Sequence, residues 1–158
     1  MKQRIMNYIR AGYPGICLVS CEEARIEAEL KGIADELEYH LYAWSVTDGL
    51  VDTKDGHTRG ASDPIQLVEA VSELPENTLV LMKDFHVFLE DSNPVLIGQL
   101  KEALRVGKTK GRVLMPVGCR QTLPPELARE FGDSGCLRPR LSELVGIRVR
   151  HAPQTGTS

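Results

Sequence analysis

At 158 residues the chain is the size of one compact domain, since domains mostly run to about 100–150 residues. Hydrophobic residues make up 42% and charged residues 26%, the proportions of an ordinary soluble protein with a core. A net charge of -3 and a pI of about 5.8 offer no electrostatic footprint for nucleic acid. No apolar run approaches the roughly 18 residues that span a bilayer, and the start "MKQRIMNYIRAGYPG" has no secretory apolar region before Pro14. Neither nucleic acid nor membrane is therefore expected as a partner, and a cytoplasmic location is expected.

The chain alternates helix and strand. Ile5, Met6 and Ile9 recur at helical spacing, and Gly12 and Pro14 signal the end of a short first helix. "GICLVS" is an apolar run of strand length. The segment "CEEARIEAELKGIADELE" follows, with Ile26, Leu30, Ile33 and Leu37 forming one buried stripe of a long helix. "HLYAWSV" suits a second strand, with Trp44 in the core. Residues 47–61 are polar and Gly-rich without a period, which reads as a loop. Asp63 caps a helix that opens on Pro64, with Gln66 three residues after the cap. A third strand spans 78–84. Asn93 and Pro94 open a further helix striped by Leu96, Leu100 and Leu104, and Gly107 is its expected end. "RVLMPVG" is a fourth strand and "LPPELAREFG" a short helix. Residues 1–145 are expected to form the domain and 146–158 a divergent, disordered tail.

Strands separated by helices imply right-handed crossovers, so the fold class is α/β: three layers, α/β/α, around a mostly parallel sheet of about five strands. Ligands in such sheets bind beyond the carboxyl ends of the strands. Here those places are 20–23, 45–60, 84–91 and 117–121.

The four cysteines, Cys17, Cys21, Cys119 and Cys136, match neither a secreted disulfide framework nor paired zinc knuckles. They are expected as reduced, packing thiols rather than as metal ligands with His86.

"LVLMKDFHVF" ends a buried strand in an aspartate, the place where nucleotide hydrolases hold magnesium. The matching phosphate loop, glycine-rich and ending in lysine, belongs between the first strand and the long helix. That junction reads "LVSCEEAR", without glycine or lysine. Ser20 and Glu23 spell a capping box there, and Glu22 and Glu23 set two negative charges where a triphosphate would lie. "GKT" at 107–109 follows a helix instead of a strand, and "TKDG" at 53–56 is a glycine turn. Asp84 and His86 would share a side if the strand continued, but Asp84 reads as a turn cap and His86 as a loop residue. Phe85 and Phe88 are expected to pack that loop down.

Six stretches occur in an order that resembles the N-terminal portion of AAA ATPases of the type encoded in plastid and cyanobacterial genomes. They are "MNYIRAGYPGICLVSCEEARIE", "LYAWSVTDGL", "DPIQLVEAV", "TLVLMKDFHVFLED", "LMPVG" and "LPPELARE", within residues 1–131. The resemblance implies a RecA-like, degenerate P-loop NTPase-like sheet domain that lacks its own phosphate loop and precedes a separate AAA module. It makes Asp84 the relic of a magnesium aspartate and leaves no catalytic residue, metal ligand or resident cofactor in this segment, ATP and magnesium belonging to full-length relatives. Beyond "PPELAREF" the chain departs from the family pattern. The implied role is a non-catalytic interaction or regulatory domain whose partner is a protein or the AAA module, met through loops 47–61 and 85–93. The alternative is a small-ligand or magnesium-binding enzyme or receiver-like domain using the strand-end crevice, with Asp48, Asp84 or His86 as polar groups. Glu22 or Glu23 facing Asp84 across an open pocket would favour that alternative, and both pointing to solvent would exclude it.

Overall fold

The computed structural model describes residues 1–90, 93–119, 123–128, 131 and 136–138. The chain opens with α1 (Lys2–Arg10), whose Ile5, Met6 and Ile9 are buried, and passes through a turn at Gly12 into β1 (Cys17–Val19). Helix α2 (Glu23–Leu37) buries Ile26, Leu30, Ile33 and Ala34 and ends at Glu38 in the left-handed region. Strand β2 (His40–Ser45) follows. In the expected loop the chain instead doubles back as β3 (Gly49–Asp52), antiparallel to β2, with Ser45 opposite Gly49 and Trp44 opposite Leu50. Two apolar residues in a polar, glycine-rich stretch carry too little period to read as a strand. What holds them is the open edge of β2 and the complete burial of Leu50.

Helix α3 (Pro64–Val71) starts as expected, the Asp63 carboxylate accepting from the Ile65 amide at 2.7 Å. Strand β4 (Thr78–Lys83) leads through Asp84 into the short α4 (His86–Glu90). Helix α5 (Pro94–Lys110) begins under the Asn93 cap but does not end at Gly107. It continues to Gly111, whose φ of 72° closes it. Gly107 is buried, and a Cβ there would lie 2.7 Å from the Arg112 carbonyl oxygen, so close packing selects this glycine rather than helix termination. Strand β5 (Arg112–Gly118), α6 (Pro125–Ala128) and β6 (Cys136–Leu137) complete the described elements. The boundary at 145 and the tail 146–158 lie outside the described residues.

The sheet has six strands in the order β3-β2-β4-β5-β1-β6, parallel except for β3. It is a three-layer, RecA-like α/β fold. Alternate strand residues point to opposite faces. Leu18, Leu41, Leu79, Leu81, Met115 and Val117 meet α1 and α2 on one side. Val19, Trp44, Val80, Met82 and Leu114 meet α3, α5 and α6 on the other. The parallel strands are thus covered on both faces and apolar along their centres, with polar residues such as His40, Ser45, Lys83 and Arg112 at their ends, as suits buried crossover strands.

Candidate functional site

The helices that follow β1 and β5 pack on opposite faces of the sheet, α2 on one and α6 on the other. Adjacent strands whose connections diverge in this way leave a crevice at their carboxyl ends, the usual ligand position in such sheets. Here Ser20 and Cys21 leave β1, and Cys119 leaves β5.

The Ser20 amide donates to the Gly118 carbonyl at 2.9 Å, extending the β1–β5 pairing by one residue. Its hydroxyl accepts from the Glu22 amide at 3.0 Å. The expected capping box is not formed. The helix starts at Glu23 with Glu22 as its N-cap, which has no side-chain cap bond, so Ser20 sits too far upstream to reach the first-turn amides. Glu23 instead turns to Asp84. Burial first, and the Asp84 carboxylate second, raise the Glu23 carboxyl above the ordinary carboxylate value, with Lys83 acting in the opposite sense. One Glu23 oxygen, Oε2, is buried without a hydrogen-bond partner.

Asp84 has a φ of 55°, a conformation that aspartate tolerates better than most residues. Its amide donates to the Val117 carbonyl at 2.9 Å, and its carbonyl accepts from Val87 at 3.3 Å. The strand therefore turns at Asp84, in keeping with its reading as a turn cap, whereas His86, expected in a loop, opens α4. Its ring lies directly over Gly118, where a Cβ would collide with Nδ1, and that nitrogen is buried without a partner. With Cys17, Leu89, Pro116 and Val117, His86 encloses a space of about 10 Å³, barely the size of one water. Phe85 and Phe88 pack the turn down, as expected, with ring centroids 5.7 and 5.9 Å from that of Trp44. Trp44 is fully buried, and its indole N–H donates to the Ala61 carbonyl at 2.5 Å.

Lys83 pairs with Glu27 on α2 at 2.8 Å, and Lys31 stands 3.7 Å from the same carboxylate. These residues, with Ser45 and Asp48, line a cavity of about 240 Å³ between α2 and the β2–β3 hairpin. Asp48, one of the polar groups expected at the crevice, is thus separated from Asp84 and belongs to this flanking cavity.

The cysteines correct the expectation of reduced thiols. Cys17 is joined to Cys136, with Cα atoms 4.4 Å apart, and Cys21 to Cys119, with Cα atoms 4.6 Å apart. Spacing along the chain conceals this, since the partners are 119 and 98 residues apart. The strand order brings them together, because β1 lies between β5 and β6.

The SpoVK-like AAA ATPase N-terminal domain family matches residues 1–132 of this sequence. The chain belongs to that family. Among similar proteins is the uncharacterised AAA domain-containing protein ycf46 of Guillardia theta, 24% identical over 153 residues that make up 95% of this chain and 30% of the relative. The ycf46 proteins of Gracilaria tenuistipitata var. liui and Pyropia yezoensis are each 25% identical, over 73% and 77% of this chain. This SpoVK-like N-terminal domain spans 24%, 30% and 25% of the length of the Gracilaria, Guillardia and Pyropia proteins respectively. No helix among its described residues is long and apolar enough to cross a membrane.

Proposed function

We propose that this domain is a non-catalytic interaction or regulatory module, a degenerate P-loop NTPase fold that works in the cytoplasm beside an AAA module or another protein partner. One observation carries the reading. The turn between β1 and α2, where a phosphate loop would cradle a nucleotide, holds Cys21 tied to Cys119, the Glu22 N-cap and the Glu23 carboxyl against Asp84. A triphosphate there would meet carboxylates instead of a lysine, and a turn without glycine gives its oxygens no close backbone approach.

Asp84 stands at the strand end where a magnesium aspartate would be, but the Glu23 carboxyl, another acid, lies against it. The partner surface in this reading is the strand-end side, where the β2–β3 hairpin and α4 sit on a rigid sheet.

The test is a calorimetric titration of the chain with ATP and ADP in magnesium, with Asp84→Ala as control. The expected result is no saturable heat at millimolar nucleotide in either protein. Micromolar binding that disappears in Asp84→Ala would overturn the reading.

The approach of Glu23 to Asp84 favours a second reading, a receiver-like acidic site for magnesium. Magnesium without nucleotide then shifts the fluorescence of Trp44, which touches Phe85 beside Asp84. Glu23→Gln abolishes that shift if the reading holds.

A further inference from the structure

The two cysteine pairs lie in opposite surroundings. Cys17 and Cys136 are buried, at 6% and 8% exposure, within the sheet itself. Cys21 and Cys119 are both exposed and stand outside the strands, at the mouth of the crevice between β1 and β5. Both follow residues already joined by the bond from the Ser20 amide to the Gly118 carbonyl. The exposed pair therefore closes a small ring across two strands already in register, and both residues that carry it are open to solvent. Thiol–disulfide exchange requires that access, and exposed disulfides are the labile ones.

We propose that Cys21 and Cys119 form a reversible redox site that latches the first turn of α2 to the end of β5. The oxidant is a low-molecular-weight disulfide. One of the two cysteines, as thiolate, attacks a sulfur of that disulfide, whose S–S bond breaks and releases one thiolate. The other cysteine then attacks the protein sulfur of the mixed disulfide and expels the second thiolate. One protein S–S bond forms, two electrons pass to the small disulfide, and the two protons lost by the cysteines are taken up by the released thiolates. A low-molecular-weight thiol reverses the sequence. The buried pair takes no part, because its sulfurs are shielded by β1, β6 and the helical layer.

The latch matters because it spans the crevice. Oxidised, it holds the Cys21–Glu23 turn against β5 and keeps Glu23 on Asp84. Reduced, the turn keeps the Ser20 bonds and the approach of Glu23 to Asp84 but loses its covalent tie to β5.

The experiment equilibrates the 158-residue chain in glutathione buffers from fully oxidised to fully reduced, quenches with acid, alkylates, and measures the labelling of each cysteine by peptide mass. Cys21 and Cys119 are expected to titrate together and reversibly, at a more oxidising ratio than Cys17 and Cys136. Labelling of Cys21 and Cys119 at every ratio, or release only together with or after the buried pair, overturns the proposal. Hydrogen exchange at the same ratios reads the latch. Amides of residues 22–26 are expected to exchange about tenfold faster once the exposed pair alone is reduced. In Cys21→Ser they are expected to exchange at the fast rate in every buffer that keeps the buried pair oxidised. Equal rates in the two states overturn the latch.

Discussion

Glu23 illustrates how one residue type serves two different roles depending on where the helix begins. Read along the chain, it completes a capping box with Ser20. In the folded protein the helix starts at Glu23 itself, and the carboxyl is left against Asp84 with a buried, unpartnered oxygen. Its folded pKa lies above the unfolded one, so the folded state binds more protons than the unfolded state from the ordinary value of 4.5 upward. Protonated Glu23 therefore supports the fold below that window, and the support is lost as pH rises through the raised value. Glu23→Gln, which keeps the shape and drops the charge, is expected to raise stability at pH 7 by about 0.5 kcal/mol, a figure kept small because solvent screens a partly exposed group. The gain is expected to vanish near pH 4. Urea unfolding at the two pH values checks this, and a loss of stability at pH 7 would mean that the charge is needed.

At the scale of elements, α5 contains an internal contrast between two glycines. Gly98 has open space where a Cβ would stand, whereas a Cβ at Gly107 would press on the Arg112 carbonyl. Alanine is better than glycine in a helix interior by about 0.8–1.0 kcal/mol. Gly98→Ala is expected to stabilise by that amount. Gly107→Ala is expected to destabilise by about 1–3 kcal/mol, because overpacking displaces α5 from β5 and outweighs the propensity gain. Thermal melts of the two variants should move in opposite directions. The same contrast explains why the end of α5 was misplaced: glycine marks a helix end in sequence for its conformational freedom, and in a packed helix for its lack of a side chain. The caps at Asp63 and Asn93 were legible because they act within three residues.

For the whole molecule, β6 contributes two residues to the edge of the sheet, where few hydrogen bonds hold it. The Cys17–Cys136 bond ties this edge to β1 across 119 residues of chain, so its loss releases a large loop in the unfolded state. Cys136→Ser is expected to cost about 2–4 kcal/mol. Urea denaturation under oxidising conditions measures it, and under strong reductant the difference from the unsubstituted chain should shrink towards zero.

Helices α1, α2, α3, α5 and α6, strands β1, β2, β4 and β5, the α/β class and the missing phosphate loop were readable in sequence, because each rests on period, capping or residue type within a few positions. The pairing of the cysteines, the approach of Glu23 to Asp84 and the strands β3 and β6 were decided only by the tertiary structure. Each depends on which strand lies beside which: β1 between β5 and β6, and β3 against the open edge of β2. Neighbours in a crossover sheet are set by packing between distant segments, and local pattern carries no record of that choice.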